Sequence, residues 1–213
     1  MRNDGYFHQT RPEMKVFVPE SAVRILEVGC GEGMFCDTLR RPDREIWGIE
    51  MDEEAGEHAR LRCDVFFQGD FFSVLPHLPV SGFDAIVFND VLEHFVDPWD
   101  ALIKCKPLLS EIGVVVASIP NFRFVGNLKE ILVDKDFRYK PFGILDVTHL
   151  RFFTSRSMLR MFQDCGYVVI QHEGIRPCRT WLSWLLAVFS LGIFGDVRYK
   201  QFATVAQNSG HVQ

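Results

Sequence analysis

The chain has 213 residues, of which 47% are hydrophobic and 24% charged, a balance that suits one globular domain with a sizeable core. Its net charge is −5 and no Lys/Arg-rich block stands out, so we expect no nucleic-acid partner. The N-terminus lacks an apolar signal-peptide core, and six scattered cysteines lack zinc-finger spacing, which is typical of a protein in a reducing cytoplasm.

Short apolar runs alternate with helical patterns along the first half of the chain. The apolar runs predict strands at residues 23–28, 45–50, 64–68, 83–89 and 113–118. Between them the pattern predicts helices at 34–40, 53–61 and 98–109, and a short turn at 72–75. Asp97 is the expected N-cap of the helix that begins at Pro98. This alternation predicts an α/β fold with a Rossmann-like, mostly parallel sheet and helices on both faces.

The second half begins with an unusually long connection. Residues 119–154 mix aromatic and basic residues, so we predict a lid or acceptor-binding insertion after the fifth strand. Thr154 then caps a helix that runs through Cys165, and strands at 167–173 and 201–207 bring the sheet to seven. We therefore expect a single domain over 1–213, with 1–22 as an N-terminal cap segment.

An apolar run lies between those last two strands. Thr180 to Gly195 is shorter than the roughly 20 residues that span a bilayer, so no transmembrane segment is expected. A helix with a wide apolar face fits this run better. That face could pack on the sheet or seat the partner of a homodimer.

The glycine-rich turn "EVGCGEG", residues 27–33, follows the first predicted strand and indicates a ligand site. In doubly wound sheets, ligands bind at the carboxyl ends of strands, and glycines let a ligand approach the main chain. The spacing G-x-G-x-G is not the dinucleotide fingerprint, and the chain has no P-loop motif. Glu50, at the end of the second strand, can accept both hydroxyls of a ribose. The pattern favours an adenosine cofactor without phosphate over a turn that binds nothing.

Several motifs in order carry a family resemblance. "ILEVGCGEG", "GIEMD", "QGDFF" and "FDAIVFNDVLEHFVDP" resemble successive motifs of class I S-adenosylmethionine-dependent methyltransferases, over roughly Val23 to Ala206. "DVTHLRFFT" resembles a segment of a bacterial subgroup close to the ubiquinone-biosynthesis O-methyltransferases. The resemblance implies S-adenosylmethionine as cofactor, S-adenosylhomocysteine as product, and an antiparallel last strand.

The resemblance also assigns cofactor contacts. It implies them for Glu27, Gly29, Cys30, Gly31, Gly33, Glu50, Met51, Asp70, Phe71, Asn89 and Asp90. Glu50 would hold the ribose, Asp70 the adenine amino group, and Asn89 the methionine amino group, while Met51 and Phe71 would lie beside the adenine. Each acid has a structural alternative: Asp70 suits a helix N-cap, and Glu50 a solvated strand end.

The transfer step needs a base when the acceptor is a hydroxyl. His149 and His94 compete for that role, with Asp146 expected to orient His149. We expect no metal, although the subgroup's acid and Glu-His pattern would place a divalent cation on Asp90, Glu93 and His94. Ordinary packing is the alternative for all of these side chains.

Basic residues in the insertion bear on the acceptor. Arg123, Lys129, Arg138 and Lys140 give it local positive character, which predicts an anionic small-molecule acceptor. The function expected from the whole sequence is methyl transfer from S-adenosylmethionine to a small-molecule oxygen. An NAD(P)-dependent oxidoreductase and an inactive cofactor-binding protein are the alternatives.

Overall fold

A seven-stranded sheet organises the chain. The computed structural model describes residues 7–178 and 194–211, and the strand order is β3-β2-β1-β4-β5-β7-β6. The strands are β1 (Arg24–Val28), β2 (Glu45–Glu50), β3 (Val65–Gln68), β4 (Phe83–Asn89), β5 (Leu109–Pro120), β6 (Tyr167–Pro177) and β7 (Tyr199–Asn208). Strands β1 to β5 pair in parallel, and β7 pairs antiparallel with both β5 and β6. The predicted fold class is confirmed.

Helices connect the strands. They are α1 (Pro12–Lys15), α2 (Met34–Leu39), α3 (Glu53–Ala59), α4 (Phe71–Val74), α5 (Pro98–Cys105), α6 (Val125–Leu132) and α7 (Ser155–Asp164). Short 3₁₀ turns cover Leu75–His77, Leu92–His94, Lys106–Leu108, Gly195–Arg198 and Ser209–His211. Asp97 caps α5 through the amide of Asp100, and Thr154 caps α7 in a capping box with Ser157, as their positions predict.

The sheet is buried on both faces. Neighbouring residues of β1 point to opposite sides, so Ile25 joins one apolar cluster while Leu26 and Val28 join the other. This explains why the strands read as near-continuous apolar runs. Strand β1 lies between β2 and β4, so the strand order reverses there and opens a crevice above their carboxyl ends.

Two predicted boundaries shift for physical reasons. The helix predicted over 98–109 ends at Cys105, because Pro107 cannot continue an α-helix and instead lies in a 3₁₀ turn. Strand β5 therefore starts at Leu109 and runs to Pro120, two residues into the predicted insertion. The rest of the insertion holds α6 and otherwise irregular chain.

The apolar run near the C-terminus falls largely on residues 180–193, outside the described part of the chain. Its predicted helix and the homodimer interpretation therefore stay predictions. Among the residues that the structure does describe, no helix combines the length and the apolar character that crossing a membrane requires.

Candidate cofactor and acceptor site

The glycine turn after β1 adopts a left-handed backbone conformation that residues with a side chain rarely adopt. Gly29, Gly31 and Gly33 all have positive φ, at 67°, 55° and 75°. A Cβ at Gly29 would sit 2.6 Å from a methyl carbon of Val91, and one at Gly31 would sit 2.7 Å from the carbonyl oxygen of Phe7. The turn can therefore take this path only with glycine.

Gly33 has a different role from the other two. It does not line the cavity described below, although we predicted a cofactor contact for it. A Cβ there would meet the Cα of Ala59 and the Cβ of Arg62, both at 3.1 Å. Gly33 thus allows α2 to start close against the end of α3, and the structure assigns it to packing.

A cavity of about 1120 Å³ opens at the carboxyl ends of β1, β2 and β4. This volume exceeds the roughly 300–1,000 Å³ typical of a pocket for one drug-sized ligand, so the cavity has room for more than one small molecule. The predicted cofactor residues that line it are Glu27, Gly29, Cys30, Gly31, Glu50, Met51, Asp70, Phe71, Asn89 and Asp90. His94, Asp146 and His149 line it too, so both predicted groups share one cavity.

Glu50 ties the end of β2 to the glycine turn. Its Oε2 accepts a hydrogen bond from the Gly31 amide at 2.8 Å, and its Oε1 accepts from the amides of Met51 and Asp52 at 2.9 Å. The residue is only 5% exposed, so the alternative of a solvated strand end does not hold. One carboxylate thus fixes three backbone amides at the rim of the cavity.

Asp70 both caps a helix and lines the cavity. Its Oδ1 accepts from the amides of Phe72 and Ser73 at 3.0 and 3.2 Å, which makes it the N-cap of α4, and it also lines the cavity. Hydrogen bonding, first of all with Ser73, lowers the pKa of this carboxyl group. The side chain therefore stays ionised beside the cavity, ready to accept hydrogen bonds.

Glu27 and Asn89 form a buried pair across β1 and β4. Glu27 Oε1 accepts from Asn89 Nδ2 at 2.9 Å, and Glu27 Oε2 accepts from Cys36 Sγ at 3.0 Å. Burial raises the pKa of Glu27 to about 7. Among the described residues, nothing donates to Asn89 Oδ1, although that atom is buried and the residue lines the cavity. An orphaned acceptor here fits the amino group of an amino-acid cofactor.

Asp90 is held by the protein itself. Its carboxylate accepts from Ser118 Oγ at 2.9 Å and from Gln201 Nε2 at 2.7 Å, and it forms an ion pair with Arg11. Neither Arg11 nor Gln201 could be foreseen from the sequence, because both reach Asp90 from distant parts of the chain. These contacts occupy the oxygens that the alternative of a cation on Asp90, Glu93 and His94 would have needed.

Two histidines and a glutamate meet at the far side of the cavity. His94 Nδ1 lies 3.1 Å from the carbonyl oxygen of Thr148, and His149 Nδ1 lies 3.0 Å from that of Ile144. A carbonyl can only accept, so each Nδ1 donates, and in a neutral ring the lone pair then lies on Nε2. The rings are 4.7 Å apart, edge to face, and His149 Nε2 is 3.9 Å from Glu93 Oε1.

Glu93 is the least satisfied group of this cluster. It is 1% exposed, and neither side-chain oxygen has a hydrogen-bond partner within the described chain. Burial, and then the charge of Asp90, raise its pKa well above the ordinary value. Burial and His149 lower the pKa of His94. We call Glu93, His94 and His149 the acceptor end, and Glu27, the glycine turn, Glu50, Asp70 and Asn89 the cofactor end.

One prediction about this end needs correction. Asp146 does not hold the His149 ring: its Oδ1 accepts from the amide and hydroxyl of Thr148, and Ile144 fixes the imidazole instead. The alternative to the expected absence of a metal is a cation on Asp90, Glu93 and His94, but a different set of side chains meets here. The ligand atoms of Glu93, His94 and His149 lie within 4.8 Å of one another, a spacing that could hold a cation with two nitrogens and one oxygen.

The basic residues of the insertion do not point at the cavity. Arg123 pairs with Asp196, Lys129 with Asp134, Arg138 with Asp136 and Lys140 with Glu130, at N···O distances of 2.5–2.9 Å. None of these four described cations lines the cavity, which removes the reason for predicting an anionic acceptor from them. Arg11, Arg176 and Lys200 are the described cations that do line it.

Known proteins resemble this chain along most of its length. A family model described as "Methyltransferase domain" matches residues 6–172. The ubiquinone biosynthesis O-methyltransferase of Vibrio cholerae is 27% identical over 180 residues, which cover 79% of this chain and 71% of that protein. The enzyme of the same name from Histophilus somni is 28% identical over 197 residues, covering 83% and 81%.

Solved structures share the architecture. A SAM-dependent methyltransferase from Archaeoglobus fulgidus aligns with a TM-score of 0.69 at 17% identity, covering 92% of this chain and 90% of that one. One from Mesorhizobium loti aligns with a TM-score of 0.62 at 18% identity, covering 92% and 96%. At these identities the likeness concerns the fold.

Proposed function

Since this chain belongs to the methyltransferase domain family and is an S-adenosylmethionine-dependent methyltransferase, we propose that it methylates a hydroxyl oxygen of a small-molecule acceptor. Family membership removes the oxidoreductase alternative. The observation that carries the proposal is the pair of imidazoles at the acceptor end, which line the cavity and each direct Nδ1 at a backbone carbonyl oxygen. A hydroxyl must lose its proton during transfer, and a neutral imidazole is suited to take it.

The residues of the cofactor end fit S-adenosylmethionine. We propose that Asn89 Oδ1 accepts from the amino group of the methionine moiety, because this buried oxygen is otherwise without a donor among the described residues. Glu50 would hold the ribose hydroxyls at the rim and Asp70 the adenine amino group, with Met51 and Phe71 beside the adenine. Met51 supports this role because it lines the cavity with 69% of its surface exposed, which an adenine ring could cover.

The acceptor end carries out the proton transfer in this proposal. When bound, the cofactor supplies a methyl group activated by a positively charged sulfur, and the chain holds the acceptor and removes its proton. His149 is the proposed base, since its Nδ1–H is fixed on Ile144 and its Nε2 faces Glu93. As Nε2 takes the proton, the new positive charge favours ionisation of the Glu93 carboxyl 3.9 Å away, and the carboxylate then stabilises the charged ring. Burial lowers the pKa of His94, which disfavours its protonation, so its proposed role is to orient His149 through the edge contact.

Methyl transfer to a panel of phenols, sugars and carboxylates tests the acceptor class. We expect mass spectrometry to locate the new methyl group on a hydroxyl oxygen. A methyl group found on nitrogen, sulfur or carbon would contradict the proposal. Binding of S-adenosylhomocysteine without transfer to any acceptor would favour the inactive cofactor-binding alternative.

The base is tested by His149→Ala, with His58→Ala on the exposed end of α3 as the matched control. We expect kcat to fall by about 100-fold in the first variant and not in the second, within the range that general base catalysis contributes. Affinity for S-adenosylhomocysteine should not change in either. Activity that disappears on chelation and returns with a divalent cation would instead favour a metal on Glu93, His94 and His149.

We also infer a cytoplasmic location. The five buried cysteines, Cys30, Cys36, Cys63, Cys105 and Cys165, are thiols, which suits a reducing compartment.

A further inference from the structure

Three cysteines that are far apart in the sequence meet behind the glycine turn. Cys30 lies in the turn itself, Cys36 on α2, and Cys63 between α3 and β3. Their Sγ atoms all lie within 4.8 Å of one another. The residues are 6%, 0% and 8% exposed, so the sulfurs share a site that is almost closed to water. We call this group the thiol cluster.

The surrounding chain leaves space for these sulfurs. Gly48 on β2 faces the cluster, and a Cβ there would sit 2.6 Å from Cys63 Sγ and 2.9 Å from Cys30 Sγ. Any larger residue would push the sulfurs apart, so glycine at this strand position keeps them together. Cys30 also lines the main cavity, which gives the cluster a route from solvent.

An oxygen donor lies beside one sulfur of the cluster. Glu27 Oε2 is 3.0 Å from Cys36 Sγ, and Glu27 is 2% exposed. With that oxygen moved in as the fourth donor, the three sulfurs that already meet would make a four-donor set. This is the donor number of a tetrahedral Zn²⁺ site, and thiolates select thiophilic metals.

We propose that Cys30, Cys36 and Cys63, with Glu27 as the fourth ligand, bind a thiophilic divalent metal ion of the Zn²⁺ class. Tetrahedral Zn²⁺ with bonds of about 2.3 Å to sulfur requires sulfur atoms roughly 3.8 Å apart, a spacing within reach of sulfurs that already lie within 4.8 Å of one another. Binding breaks the Cys36–Glu27 hydrogen bond and releases the thiol protons to solvent. The bound ion would link the glycine turn to α2 and to the start of β3.

This site is separate from the acceptor end and does not depend on which acceptor the enzyme uses.

Cobalt(II) binding to the reduced full chain tests the proposal, because thiolate ligands give Co²⁺ a charge-transfer band in the near ultraviolet. We expect one equivalent of Co²⁺ to produce this band and Zn²⁺ to abolish it. Removing a residue that only supports a metal ligand costs up to about 100-fold in metal affinity. Cys63→Ser removes a ligand itself, so it should weaken binding by at least about 100-fold. The matched control is Cys105→Ser, a buried thiol outside the cluster, which should keep the band. His149→Ala should keep it as well.

Zinc-edge X-ray absorption of the wild-type protein provides a test that needs no variant. With one equivalent of Zn²⁺ bound, we expect three sulfur neighbours at about 2.3 Å and one oxygen neighbour. A shell of nitrogen and oxygen alone would overturn the proposal. So would reduced protein that binds Co²⁺ without the thiolate band, a band that survives in Cys63→Ser, or a band that Cys105→Ser also removes.

Discussion

The two ends of the cavity each bury a carboxyl group and use it differently. At the cofactor end, Glu27 accepts hydrogen bonds from Asn89 and Cys36, one on each oxygen. At the acceptor end, neither oxygen of Glu93 has a hydrogen-bond partner among the described residues. The acids of the cofactor end therefore hold neighbouring protein groups in place. Glu50 also does so, because it accepts hydrogen bonds from three backbone amides. Under the proposed function, the carboxyl group of Glu93 instead acts on the acceptor's proton transfer through His149.

The largest effect that would sharpen this comparison is expected from Glu50→Ala. The change leaves the amides of Gly31, Met51 and Asp52 without their acceptor and removes the proposed ribose contact. We expect affinity for S-adenosylhomocysteine to fall by about 1,000-fold, since each hydrogen bond to a charged group contributes roughly 1.5–3 kcal/mol. Calorimetry measures this, with the exposed Glu54→Ala as control. Near wild-type affinity would show that Glu50 does not organise the cofactor end.

The next effect is a pH dependence of stability caused by Glu27. Its pKa is raised from 4.5 to about 7 in the folded chain, so the folded state favours the protonated form. Its contribution is therefore complete below pH 4.5 and is lost as the pH rises through about 7, at a total of about 3 kcal/mol. Denaturant unfolding of Glu27→Gln at several pH values should lack this fall, whereas Glu54→Gln should retain it. Equal slopes in Glu27→Gln and wild type would disprove the assignment.

A smaller effect at the acceptor end should separate it from the cofactor end. Glu93→Gln keeps the shape of the side chain but cannot ionise beside a protonated His149. We expect kcat to fall by about tenfold, or roughly 1.4 kcal/mol, with the affinity for S-adenosylhomocysteine unchanged. The exposed Glu111→Gln is the control. A loss of cofactor affinity in Glu93→Gln would show that the acceptor end and the cofactor end do not act independently.

The smallest effect is expected from charge reversal in the insertion. Arg138 is paired with Asp136 and lies outside the cavity, so Arg138→Glu should leave the acceptor KM within about twofold of wild type. Steady-state kinetics with the identified acceptor measure this, and Lys200→Glu inside the cavity is the informative comparison. An increase in the acceptor KM of Arg138→Glu would instead support the prediction that the insertion's cations bind an anionic acceptor.

The cofactor end could be predicted from the sequence because its parts lie in short motifs at successive strand ends. The glycine spacing, Glu50 and Asp70 each stand next to an apolar run that already indicates a strand. The acceptor end could be predicted only as a pair of competing histidines. The carbonyls of Ile144 and Thr148 fix those rings, and Glu93 meets His149 only after the chain folds.

Long-range contacts explain the remaining errors. The meeting of Cys30 with Cys63 has no local pattern, since three elements of the fold bring the sulfurs together. The sequence contains the acids that pair with the insertion's cations, but which acid pairs with which cation is decided only when the chain folds. The early end of α5 was the exception, because Pro107 marks it in the sequence.

The ion pairs of the insertion have an evolutionary consequence. Lys129 pairs with Asp134, Arg138 with Asp136 and Lys140 with Glu130, so these charges are balanced within one stretch of chain, residues 129–140. Replacing that stretch as a unit would leave none of these partners stranded on the sheet. Surface connections between fixed elements are where related proteins vary most. A lineage could therefore exchange this stretch while it inherits the residues that line the cavity unchanged.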